Sequence, residues 1–256
     1  QDLDRIGEEG AAYGALLTPQ GRFLHDFLCV AWAGALLLDC ERDRAPDLAA
    51  RLSRYRLRAK VEIQDTSAAW SVFALWGAAL ALAPGAIRPL GDGVLYGDPR
   101  LAALGWRALL PSGATPAPLS ALGITPASAE AYDRHRLALA VPDGSRDLEV
   151  EKTVAAEGNL DALGAIGWDK GCYIGQELTT RYKHRDLLKR RLFPVAIDGP
   201  SPAPGTPVTA EGAEVGIMRS SAGGLGLALL RLEAASGAAL SAGGARLRVL
   251  PFRYSA

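Results

Sequence analysis

The sequence predicts an α+β chain that closes in a small antiparallel β-sandwich or barrel. Three observations carry this expectation. Residues 13–40 are β-like runs broken by glycine-containing turns, and residues 45–60 change to helical spacing. Beyond Arg191, short apolar runs alternate with Gly/Pro/Ser turns. At 256 residues the chain exceeds one average domain, and two or three lobes are expected.

Tyr13–Thr18 reads as the first strand, with a turn at Pro19-Gln20-Gly21 and further strands over Arg22–Val30 and Ala35–Asp39. The longest apolar stretch, Phe27–Leu38, is too short to cross a bilayer, and Ala33-Gly34 at its middle splits it into two strands and a turn. From Ala45 to Lys60, the residues Leu48, Leu52, Tyr55 and Ala59 recur at three- to four-residue intervals, with arginines on the other face, as in an amphipathic helix. Val61-Glu62-Ile63 resumes a strand, and Trp70–Leu75 forms another. Strand–helix–strand order implies a helix packed on a sheet. The Pro- and Gly-rich segment 84–123 returns the chain to the first lobe. A helix is expected over 126–140 and a loop at Pro142-Asp143-Gly144. Short strands follow at 192–197, 207–209, 215–218, 226–230 and 245–250, which places a domain boundary near residue 188.

Composition narrows the function. Lys plus Arg (28) equal Asp plus Glu (28), so no global field draws the chain to nucleic acid or to an anionic membrane. The three cysteines, Cys29, Cys40 and Cys172, are odd in number and widely spaced. They suggest no disulfide framework and point to a reducing compartment, taken as the cytoplasm. They are also too few for a protein-held iron–sulfur cluster, which usually takes four. Three scattered histidines give no zinc-ligand spacing, so no metal site is expected. No P-loop, dinucleotide fingerprint or nucleophile elbow occurs. The acidic start shows no signal peptide. Because it opens on Gln1-Asp2-Leu3-Asp4 without methionine, an upstream strand and helix are expected to be missing.

The densest chemistry lies in Lys170-Gly171-Cys172-Tyr173-Ile174-Gly175-Gln176-Glu177. A thiol, an ammonium, a phenol, a carboxamide and a carboxylate within eight residues suit the wall of a pocket better than a core, where each would need a buried partner. Arg181, Lys183, His184, Arg185, Lys189, Arg190 and Arg191 follow and suit an anionic ligand. Lys170 and this basic run favour a thiolate at Cys172, whereas Cys29 and Cys40 lie in apolar strand patterns and read as structural. Glu157 precedes an apparent helix start at Asn159–Asp161. A carboxylate there could pair with the adjacent N–H donors of an aminopyrimidine-like ring. His25-Asp26 could be an acid/base pair, but neighbours on a strand face opposite ways, and a surface histidine beside a buried or turn aspartate is the plainer reading.

The eight-residue run resembles the KGCYxGQE signature of the YgfZ-type folate-binding proteins of iron–sulfur cluster assembly and repair, within the superfamily of the glycine-cleavage T-protein, an aminomethyltransferase. Asp98-Pro99-Arg100 with Leu104-Gly105, the approach Glu157–Asp161, Val215–Met218 and Ala228–Arg231 extend the likeness over nearly the whole chain. The resemblance implies a three-lobed ring around a tetrahydrofolate pocket, with a C-terminal antiparallel β-barrel. Its lobes would be residues 1–23 with 113–187, residues 24–112, and residues 188–256. It implies a tetrahydrofolate-binding accessory factor that acts on clusters in other proteins through Cys172, with Lys170 beside it. Glu157, Tyr173, Gln176, Glu177, Arg185 and Asp26 would serve the folate. Folate and iron–sulfur client or assembly proteins would be the partners, with no nucleic acid and no membrane. The alternative is a folate-dependent aminomethyl or one-carbon transferase, or a demethylase. The transferases carry an adjacent aspartate pair where this chain has His25-Asp26, so an accessory factor is the expectation rather than a classical transferase.

Overall fold

The computed structural model describes residues 6–7, 10–77, 82–113, 117–184, 188–252 and 254. The chain divides into two compact units, residues 1–14 with 25–125, and residues 15–24 with 126–256. Strands β1 (Ala11–Leu17) and β2 (Phe23–Trp32) run from one into the other.

In the first unit β2 pairs with β3 (Ala35–Cys40), from Phe27 opposite Cys40 to Trp32 opposite Ala35. Ala33 (φ +50) and Gly34 (φ +74) form the two-residue turn, whose left-handed backbone matches the twist of the hairpin. Helix α1 (Ala45–Tyr55) starts with Pro46 in its first turn and seats Leu48 in the interior. It ends at Tyr55 rather than at Lys60, and residues 61–63 are not a strand, because Leu57 turns left-handed (φ +47) and residues 58–63 are almost wholly exposed. A second antiparallel sheet has the order β4-β7-β6-β5, from β4 (Trp70–Leu75), β5 (Ile87–Leu90), β6 (Gly93–Gly97) and β7 (Trp106–Pro111). Leu75, Leu90, Leu95, Ala108 and Leu110 form its core. The short helix α2 (Ala117–Ser120) follows.

In the second unit α3 (Ala129–Ala138) is capped by the Ser128 hydroxyl, which accepts from the Ala131 N–H at 3.1 Å. The expected helix over 126–140 is shorter at both ends. Helix α4 (Gly144–Asp147) supplies Asp147, which pairs with Arg136 at 2.7 Å in full burial. After α5 (Gln176–His184) come β8 (Arg190–Asp198), β9 (Pro207–Ala210), β10 (Ala213–Ala222), β11 (Leu225–Arg231), β12 (Leu240–Ala242) and β13 (Ala245–Val249). They close a barrel in the order β10-β11-β8-β13-β12-β9. Val195, Val208, Met218, Ala228, Leu230 and Leu247 fill it, and β10 turns its corners through two register shifts. The α+β class and the closed antiparallel barrel are thus as the sequence predicts.

Candidate functional site: an exposed thiol loop, a clasped acidic turn and a tyrosine–aspartate cluster

The signature run folds as a loop that feeds a helix: Lys170–Gly175 precede α5, and Gln176 opens it. Gly175 has φ +86, and a Cβ there would stand 2.6 Å from the Thr18 carbonyl oxygen. The motif's second glycine therefore presses the loop onto the β1–β2 turn, where Gly21 (φ +68) makes the matching space. The buried Thr179 hydroxyl donates to the Gly175 carbonyl at 2.8 Å. Gln176 Oε1 accepts from the Tyr173 N–H at 3.3 Å, so the carboxamide caps the loop's own backbone. The Lys170 ammonium sits 6.0 Å from the centre of the Tyr173 ring, within cation–π range. Burial pushes the Tyr173 phenol up, with the Thr179 hydroxyl opposing. On this scaffold Cys172 is exposed. Glu177 projects into solvent and pairs with Arg181 at 2.6 Å, one helical turn on.

The other thiols differ. Cys29 is buried, and desolvation pushes it up to about 12; Cys40 is half-buried and is pushed up to about 11, again chiefly by burial. Their structural reading stands.

Residues 155–164 are successive turns, not the start of a helix, because Asn159 is left-handed (φ +63). Its fully buried side chain bridges to β8: Nδ2 donates to the Leu192 carbonyl at 3.1 Å, and Oδ1 accepts from Arg191. Arg191 also donates to Asp161 at 2.8 Å. The buried Glu157 accepts from the Val154 N–H at 3.2 Å through Oε2 and from Arg190 at 3.2 Å through Oε1, while its backbone carbonyl takes the Leu192 N–H. Arg190 and Arg191, expected to face an anion, thus clasp this turn to the barrel's first strand. The partners are 30–33 residues apart, beyond any local spacing rule. Arg185 lies outside the described residues. Lys189 and Arg190 join Leu188, Arg231, Leu232 and Glu233 around an open cleft of about 770 Å³.

Asp26 belongs to a separate cluster in the first unit. It accepts from the Tyr13 hydroxyl at 2.7 Å, and the Arg100 guanidinium lies 5.6 Å from the Tyr13 ring centre. Arg100 grips Asp98 with two bonds of 2.9 and 2.6 Å. Burial alone would raise the Asp98 carboxyl, but Arg100 and Arg107 together hold it below its usual range. Asp39 accepts from Arg107 at 2.8 Å and from the Tyr96 hydroxyl at 3.2 Å. Desolvation drives both phenols well above their ordinary value. His25 turns the other way, as strand alternation requires, and meets Asp47 at 2.8 Å. It is buried, not at the surface, and desolvation lowers its pKa. Tyr13, Asp39, Tyr96 and Arg107 escaped the sequence reading, since each looks like an ordinary strand residue. Among the described residues, no group of three or more His, Cys, Asp or Glu side chains could hold a metal ion.

Residues 189–253 match the family model of the CAF17 C-terminal β-barrel domain. The chain is 36% identical over 242 residues to the mitochondrial iron–sulfur cluster assembly factor IBA57 of Mus musculus, spanning 89% of this chain and 66% of that protein. The Homo sapiens protein of the same name is 35% identical over 240 residues, with the same coverages. The Pyricularia oryzae homologue is 32% identical over 250 residues, covering 86% of this chain and 62% of its own. The chain thus spans 62–66% of the length of these relatives. The glycine cleavage system aminomethyltransferase T of Bartonella henselae shares the fold, with a TM-score of 0.71 at 15% identity over 94% of this chain and 74% of that one. The relatives are mitochondrial by name, which overturns the cytoplasmic setting expected from the cysteines. Unpaired thiols mark a reducing environment, and the cytosol is not the only one. The chain is a homologue of the IBA57-type iron–sulfur cluster assembly factors, built on the aminomethyltransferase fold.

Proposed function

We propose that this chain is a tetrahydrofolate-binding accessory factor in the assembly or repair of iron–sulfur clusters on other proteins, acting through the thiol of Cys172. The observation that carries the reading is the presentation of that sulfur: of three cysteines, Cys172 alone is exposed, on a loop braced by Gly175, Gln176 and Thr179. The relatives' names supply the process. A cluster handled here is cargo. One sulfur offers one ligand, so client or assembly proteins provide the rest.

The donor set of Glu157 fits a pterin. The carboxylate is buried, each oxygen has a second lone pair beyond the bond it already accepts, and the Arg190 bound to Oε1 is itself half-exposed. Glu157 would hold the aminopyrimidine edge, and Lys189 and Arg231 at the cleft would meet anionic groups of the ligand or of a partner. Tetrahydrofolate, when bound, supplies a reduced one-carbon carrier. Aminomethyl transfer through Asp26 is the less favoured reading, because Asp26 already takes the Tyr13 proton donor and has no carboxylate neighbour at position 25.

Depletion in the host, followed by assays of several [4Fe–4S] enzymes, tests the proposal. Their activities fall, wild type restores them, and Cys172→Ala does not; full rescue by Cys172→Ala removes the thiol's role. Calorimetry with tetrahydrofolate gives saturable binding that Glu157→Gln weakens. Absence of binding removes the folate part and leaves the thiol part standing.

A further inference from the structure

The first unit carries a surface that its own fold does not explain. Ten consecutive residues, Ser53 to Glu62, are exposed, and apolar and cationic side chains alternate through them. Tyr55, Leu57 and Val61 are 58%, 86% and 52% exposed. Between them stand Arg54, Arg56, Arg58 and Lys60, which form no ion pair among the described residues, whereas Arg51, one turn earlier, pairs with Asp47. The two nearby acids serve their own loop: Glu62 accepts from Gln64, and Asp65 accepts from Ser67.

Leu57 is the most telling residue. It follows the cap of α1 with φ +47, the left-handed position where a helix usually ends in glycine. Here a leucine accepts backbone strain and also leaves its whole side chain in water. At 86% exposure the side chain has little surface left to pack against the described residues of its own unit. The loop is nevertheless ordered by its own bonds, the Ala59 N–H donating to the Arg56 carbonyl at 2.8 Å and Arg56 Nη1 to the Val61 carbonyl at 3.4 Å. Strain held in a preset, exposed apolar loop is a feature of recognition surfaces.

We propose that Ser53–Ile63 is a docking surface for a partner protein that presents acidic residues interleaved with apolar ones. Charge complementarity names the partner's sign, and the exposed Tyr55, Leu57 and Val61 name the remainder of its chemistry. A lipid surface is disfavoured because α1 turns its buried Leu48 to the core, so no free apolar helix face remains to lie among acyl chains. This surface needs neither the thiol nor folate, so failure of either leaves it standing.

The test places a photo-crosslinking amino acid at Leu57 in the full chain, in its host cells, and identifies what becomes attached. An acid-rich protein is expected. Titration of that purified protein then gives a Kd that weakens about tenfold or more in the triple variant Arg54→Glu/Arg58→Glu/Lys60→Glu, and that weakens with added salt for the wild type. Arg248→Glu, on the exposed barrel surface, leaves it unchanged. Leu57→Gly separates recognition from folding: it raises Tm by releasing the strain while it lowers affinity. Crosslinks to lipid alone, no crosslinked protein, or an unchanged Kd in the triple variant overturns the proposal. So does binding to phosphatidylserine vesicles that the triple variant abolishes when no protein is captured.

Discussion

Gly171 and Gly175 belong to one motif, yet alanine is expected to act on them oppositely. At Gly175 the backbone has φ +86, and an added Cβ would lie 2.6 Å from the Thr18 oxygen and 3.0 Å from Gly21 Cα. Left-handed backbone costs a non-glycine residue about 1–2 kcal/mol. Displacing backbone in a close contact adds about 1–3 kcal/mol. Gly175→Ala should therefore destabilise by roughly 2–5 kcal/mol, or about 4–20 °C in Tm for a chain of this length. Gly171 lacks a left-handed φ, and its Cβ would find open space within 4 Å. Alanine there should be neutral or slightly stabilising, by up to about 1 kcal/mol through the unfolded chain. Thermal unfolding of both variants, with the alkylation rate of Cys172 followed in parallel, decides the matter. If Gly175→Ala proves as mild as Gly171→Ala, the loop is not held against the β1–β2 turn and the argument for a braced thiol fails.

Native alkylation at pH 8 should label one thiol, Cys172, and reach Cys29 and Cys40 only on unfolding, since burial protects both and raises their pKa; intact mass spectrometry counts the adducts. Asp147→Ala removes the fully buried partner of the Arg136 guanidinium, where the two side chains are 0% and 2% exposed, and leaves it, among the described residues, only the Asp133 carboxylate. It should cost about 3 kcal/mol in urea unfolding, the lower end for a broken buried pair. Asp133→Ala, nearer the surface, should cost less. His25 has a folded pKa below its unfolded value of about 6.5, so the unfolded chain takes up the proton first. Its contribution is complete above that value and is lost as pH falls below it. His25→Gln should therefore flatten the stability profile between about pH 5 and 7.

The fold was legible where the signal was local. The barrel strands announced themselves through short apolar runs between Gly/Pro turns, and the Ala33-Gly34 hairpin through its turn residues. Helix α1 was visible in its spacing, but its end was not, because helical periodicity continues past Tyr55 while Leu57 turns left-handed without the usual glycine. The thiol loop was legible because its residue types are rare in combination. The clasp was not: Glu157 with Arg190, and Asn159 and Asp161 with Arg191, meet across some thirty residues. Asparagine favours both a left-handed backbone and a helix N-cap, so the identity of Asn159 alone does not choose between them. The Tyr13–Asp26 and Tyr96–Asp39 contacts likewise depend on strand register, which no single strand encodes.

The clasp changes how the basic run bears on the proposed ligand. Counted along the sequence, six cations and a histidine crowd behind the motif. In the structure Arg181 answers Glu177, Arg190 answers Glu157, and Arg191 answers Asp161, which removes three of them from any simple electrostatic funnel. Among the described residues, what remains at the cleft is Lys189, with Arg231 only loosely opposed by Glu233 at 3.7 Å. Attraction of an anion by the described residues of the cleft therefore rests on these two side chains. The exposed pairs Arg181–Glu177 and Arg231–Glu233 are worth at most about 1 kcal/mol each, so they can be exchanged for a ligand at little cost, whereas the pairs on Glu157 and Asp161 are partly buried. Specificity then has to come from geometry, which the two features supply separately: a buried Glu157 carboxylate in the clasped turn, and an exposed sulfur on a loop braced by Gly175, Gln176 and Thr179. One sulfur cannot hold a cluster alone, so on the proposed reading the working unit includes a second protein. The cationic, apolar loop after α1 is a separate surface on which such a protein could be recognised.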